Sequence, residues 1–174
     1  MTEILGDATR EDGVRLVAGT ASSDRMDDLV LAALAEIDGE TVPVLLHRSP
    51  TSYGARGCRT EIADRVVPGG ESIVAACRSG GTNGLGYVAV LGVDPRGSTP
   101  RVLIEVSCSV TDFVIDGSTL RLVSEGEKPG TNFAGAEQPD QELTWSAAGL
   151  TPNDRASFNT YCATGDDRYH GPAG

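Results

Sequence analysis

Two histidines, His47 and His170, four cysteines and a small group of arginines are the side chains of this 174-residue chain best suited to do more than pack. General-base and zinc chemistry ordinarily draw on several such groups held together. Here His47 stands at the end of an apolar stretch and His170 in a tail without pattern, positions that fit surface residues. A hydrolytic site with His47 as base for a nearby Ser or Cys is one arrangement the residues allow, because such triads assemble in space rather than along the chain. The sequence carries neither G-x-S-x-G nor H-E-x-x-H, and the 25 acidic residues make carboxylate pairs too common to single out. The D-x-D-x-D-G spacing of a calcium loop is also absent. The sequence therefore assigns no catalytic residue, no metal ligand and no cofactor.

The cysteines and arginines say more. Cys58, Cys77, Cys108 and Cys162 contain no C-x-x-C pair, and an even number at wide spacing fits two disulfides in an oxidising compartment, whereas tetrahedral zinc usually shows a close pair. Four cysteines allow three connectivities. Cys58–Cys77, which closes a short local loop, and Cys108–Cys162, which ties a strand to the C-terminal segment, are the expected pairs. Four buried free thiols in a cytosolic protein are the competing reading. If Cys58 and Cys77 are bonded, Arg56, Arg59 and Arg78 converge, with Tyr53 nearby. Guanidinium groups beside an aromatic ring can hold a carboxylate, a phosphate or a sulfated sugar through paired hydrogen bonds. The plainer alternative is that these arginines pair with the surplus Asp and Glu.

The elements that must position these groups follow from hydrophobic period and turn chemistry. Met26, Leu29, Val30, Ala33, Leu34 and Ile37 follow i, i+3, i+4 spacing and predict a helix over Asp24–Ile37, capped by Ser23 or Asp24 and ended by Gly39. Glu40–His47 reads as an edge strand because of Pro43. A loop is expected over 49–57, a strand or short helix over 62–67, a turn at Pro68-Gly69-Gly70 and a strand over Ser72–Arg78. Gly80–Gly86 is rich in glycine, but the strand-like Tyr87–Leu91 follows it where a phosphate loop requires a helix, so it reads as a strand connection. Asp94-Pro95-Arg96-Gly97 and Asp116-Gly117 mark turns of an antiparallel meander. In it Val102, Ile104, Val106, Cys108 and Val110 alternate with mostly polar neighbours. Glu127–Asp140 reads as an exposed loop and Glu142–Ser146 as one more strand carrying Trp145. Thr151, Pro152 and Asp154 begin a short C-terminal helix that holds Ala156, Phe158, Tyr161 and Cys162.

The fold class expected is α+β: a mainly antiparallel sheet of five to seven strands packed against one N-terminal helix, with a β-sandwich as the competitor. The expected division is an N-terminal extension over 1–22, a single globular domain over 23–165 and a flexible tail over 166–174. Fourteen basic residues against 25 acidic ones, a net charge of −11, disfavour nucleic acid and anionic membrane surfaces as partners. The longest apolar run, Leu29–Ala35, is too short to cross a bilayer, and Met1–Asp7 has neither the basic nor the apolar region of a signal peptide.

The order of a first helix, Asp38–Leu46, a strand ending Val74-Ala75-Ala76-Cys77, Tyr87–Leu91, Asp116–Leu120 and Thr144-Trp145 resembles small secreted or lipid-anchored β-domains of actinobacterial cell envelopes. The likeness spans residues 24–150 and rests on pattern; the chain departs from it in lacking a leader and a lipobox cysteine. It implies an extracytoplasmic accessory or binding domain with no catalytic residues to carry over. The expected function is accordingly a non-enzymatic extracytoplasmic or cell-surface binding domain whose partner is a protein or a small anionic ligand. A small hydrolase using His47 and a cytoplasmic structural or phage-type component are the alternatives.

Overall fold

Asp38 and Gly39 decide how the first third of the chain folds. Both have positive φ, 54° and 81°, the pair of left-handed residues that a two-residue hairpin turn requires. They close Ile37 against Glu40, so the run before them continues as a strand. In the computed structural model Asp27–Ile37 is β3, the partner of β2 (Arg15–Ser22) on one side and β4 (Glu40–Ser49) on the other. The helix expected over Asp24–Ile37 does not form. Apolar residues fill every position from Leu29 to Ala35, so they satisfy helical spacing and equally suit a strand buried on both faces. Leu29–Ala33 are all buried. The structure describes residues 3–22, 27–49, 55–63, 71–79, 86–93, 99–108, 110–124, 139–146 and 149–164. Ser23 and Asp24, the glycine-rich 80–85, the 94–97 turn, most of the 127–140 loop and the 166–174 tail with His170 lie outside these residues.

Residues 3–22, expected as an extension ahead of the domain, form strands within it. β1 (Glu3–Thr9) pairs with β2, and Leu16 and Ala18 of β2 are fully buried. Their turn is held by Arg10, whose guanidinium hydrogen-bonds Asp12. That bond holds the Asp12 carboxyl below its ordinary 3.8, partly opposed by desolvation and aided by the Val14 N–H. The remaining strands are β5 (Ala55–Ala63), β6 (Ser72–Ser79), β7 (Gly86–Val93), β8 (Pro100–Cys108), β9 (Val110–Asp116), β10 (Thr119–Ser124), β11 (Gln141–Ser146) and β12 (Gly149–Pro152). A single short helix among the described residues, α1 (Arg155–Tyr161), then leads into β13 (Cys162–Thr164). Asp154 caps α1 by accepting from the Ser157 N–H, so the helix starts one turn later than the Thr151-Pro152 signal suggests. Cys162 lies just beyond it.

All described ladders are antiparallel and build three sheets, ordered β1-β2-β3-β4, β13-β8-β7-β6-β5 and β12-β11-β10-β9. The five-stranded sheet is the middle layer. Strand alternation sends Ile73, Ala75, Tyr87, Ala89 and Leu91 toward Leu16, Leu29 and Leu31 of the first sheet. The intervening Val74, Val88, Val90 and Val106 face Phe113, Leu120, Leu122 and Leu143 of the third. β7 is accordingly buried along its whole length. The chain passes from β8 in the middle sheet to β9 in the third within one residue. At that crossing the Val110 carbonyl lies against Gly86, where a Cβ would clash, so a residue without a side chain begins β7.

Candidate anion-binding hollow

The expected disulfides are present: Cys58–Cys77 across β5 and β6, and Cys108–Cys162 across β8 and β13. No cysteine is free. The first bridge sits at a β-bulge. β5 pairs Arg56 with Arg78 and Arg59 with Ala76, so the segment between Arg56 and Arg59 carries one residue more than its partner. Gly57, at φ 54°, takes the backbone conformation that the bulge needs. Cys77 faces the first sheet, with Cys58 packed beside it. Ala76, one residue earlier, packs toward the third sheet.

Arg59 shares that second face. Its guanidinium carbon lies 4.8 Å from the centroid of the Phe113 ring, a cation–π contact. One nitrogen pairs with Asp112, and the other lies 2.8 Å from Glu61 Oε2. These side chains are about half exposed (48% for Arg59, 49% for Asp112, 40% for Glu61), so each ion pair contributes less than about 1 kcal/mol. The main role of Arg59 is to clamp β5 onto β9 through the Phe113 ring. The hollow beside it is lined by Gly57, Arg59, Ala76, Cys77, Arg78, Val110 and Asp112. Arg78 is exposed at its mouth and, among the described residues, makes no ion pair.

Two of the four residues expected to converge, Arg59 and Arg78, thus line one concavity. Arg56 is placed opposite Arg78 by the ladder, and Tyr53 lies outside the described residues. Arg59 and Arg78 meet the disulfide on the same strand pair but on its opposite face.

His47 belongs to a polar cluster that no spacing in the sequence marks, at the seam between the first and middle sheets. Ser49 Oγ donates to Glu105 Oε1 at 2.8 Å, and the Tyr87 hydroxyl reaches both Ser49 Oγ, at 2.5 Å, and the same carboxylate oxygen. His47 Nε2 stands 3.2 Å from Glu105 Oε2. In a triad the imidazole lies between serine and acid; here the carboxylate lies between serine and imidazole, and Ser49 is fully buried. This order sets the Glu105 carboxylate, and not the His47 imidazole, against the Ser49 hydroxyl. The cluster joins β4 to β7 and β8. Among the described residues no three His, Cys, Asp or Glu side chains are grouped to hold a metal ion, and no helix is long and apolar enough to cross a membrane. No protein-family model, no curated protein and no solved structure matches the chain.

Proposed function

We propose that the chain is a non-enzymatic, extracytoplasmic binding domain of a cell envelope, and that its hollow beside Arg78 receives an anionic group. That group would be a carboxylate or phosphate of a small molecule, or the same chemistry on a partner protein. The observation that carries this reading is Arg78 itself. Acidic residues outnumber basic ones by 25 to 14, yet this exposed arginine lines a concavity with no carboxylate paired to it among the described residues. A guanidinium so placed can offer two parallel N–H donors to an oxyanion. Two disulfides and no free thiol are consistent with an oxidising compartment and count against the free-thiol cytoplasmic alternative.

The test is titration with inorganic phosphate, followed by the backbone amide resonances of β5, β6 and β9. The parent should show saturable shifts around Gly57, Arg78 and Asp112. Arg78→Gln should weaken binding by about tenfold or more, as expected for losing a charge-assisted hydrogen bond. A parent that shows no saturable shift, or an Arg78→Gln variant that binds as well as the parent, would overturn the reading.

A further inference from the structure

We infer that Cys58–Cys77 is open to thiol exchange while Cys108–Cys162 is closed to it, and that the state of Cys58–Cys77 sets the geometry of the hollow. The second half rests on the anion-binding reading above. The two bridges differ in their surroundings. Cys108 and Cys162 are 1% and 8% exposed and lie in the core between the middle and third sheets, with Phe158 and Trp145. Cys58 is only partly buried and follows the exposed Gly57; β5 and β13 are the two outer strands of the middle sheet, so the bridges differ in burial and not in having an edge strand. Exchange requires an attacking thiolate to reach one sulfur in line with the bond that breaks, and the partly exposed Cys58 offers an approach that the buried Cys108 and Cys162 do not.

With a small dithiol as reductant, one thiolate bonds to Cys58 Sγ as the Cys58–Cys77 bond breaks and Cys77 leaves as thiolate. The second thiol, deprotonated, attacks the mixed disulfide and releases Cys58 as thiolate. The dithiol ends as its disulfide, the protein gains two electrons, and the two protons lost by the dithiol pass to the two cysteines.

The link to the hollow is the pleat. The bridge lies on one face of the β5–β6 ladder and Arg59 on the other, and the bulge between Arg56 and Arg59 serves both. The covalent tie at Cys58 holds the extra residue in place and, with it, the register that sets Arg59 against Ala76 and next to Arg78. A strand released by one position turns its side chains to the opposite face. Opening the bridge removes the covalent restraint against that slip on a strand with a single neighbour in its sheet.

The experiment treats the folded protein briefly with dithiothreitol, alkylates it and maps the peptides, then repeats the phosphate titration on the singly reduced form and on Cys58→Ser/Cys77→Ser. Cys58 and Cys77 should be alkylated about tenfold or more sooner than Cys108 and Cys162, and phosphate binding should weaken by about fivefold or more. The circular dichroism of each form checks that the sheets persist. Equal alkylation rates, or faster reaction of Cys108 and Cys162, would overturn the exchange assignment. Unchanged phosphate affinity after selective reduction would overturn the coupling and leave the binding site standing. If the oxidised parent does not bind phosphate, the proposed function falls and the coupling with it, while the order of alkylation still decides the exchange assignment.

Discussion

Glu105 takes Ser49 and Tyr87 on one carboxylate oxygen and faces His47 with the other, so three side chains from two layers converge on one acceptor group. Removing the phenol hydroxyl in Tyr87→Phe should cost about 1–2 kcal/mol, because the buried Ser49 and Glu105 lose a shared partner. Ser49→Ala should cost a similar amount, and the double variant less than the sum, since both act on one carboxylate. Urea unfolding of the four proteins measures this; additive losses, or no loss in Tyr87→Phe, would show that the cluster does not join the layers. Glu105 was not legible in the sequence. Val102, Ile104, Val106 and Cys108 read as the buried side of a strand, and the residues between them as its wet side. At Glu105 the first sheet covers that side of β8, and only the stacking of the sheets turns Glu105 inward. The arginines were legible for a partly different reason than the sequence suggests: strand pairing brings Arg59 and Arg78 together, on the face away from the bridge.

At the level of elements, the chain is written mostly in hairpins, and the hairpins were mostly readable. The Asp116-Gly117 turn, the alternation through β8 and the run Glu142–Ser146 marked strands that form. Asp38-Gly39 carried the same message for β3 and β4, but beside an alanine-rich apolar run it also fits the end of a helix. Local spacing could not choose, because the choice belongs to the middle sheet that β3 packs against. β3 and β4 therefore predict opposite outcomes for similar side chains. Leu31→Ala removes a fully buried leucine between two layers and should lose about 2–5 kcal/mol. Leu46→Ser, 71% exposed on β4, should stay within about 0.5 kcal/mol of the parent. Chemical denaturation compares them, and equal losses would contradict the burial of β3.

At the level of the whole molecule, two buried interfaces built from Val, Leu, Ile and Ala hold three layers together, with Phe113, Trp145 and Phe158 as the large aromatic residues of the second. The disulfide that closes the longer loop ties two neighbouring strands of the middle sheet and lies against that second interface, where α1 and β13 return to β8. It joins residues 54 positions apart, a loop for which chain entropy predicts about 4 kcal/mol of stabilisation. Cys108→Ala/Cys162→Ala should lose stability of that order, with the urea midpoint falling; an unchanged midpoint would mean that packing around Phe158 alone secures the C-terminus. The pairing of β13 with β8 has a kinetic side as well. Every other described ladder joins strands that are neighbours along the chain, which keeps the loops closed early in folding short and the contact order low for an all-β architecture. Each four-stranded meander can zip from its own turns, and the ladder that spans the most chain forms on the arrival of three residues, Cys162–Thr164, at the edge of a sheet already formed.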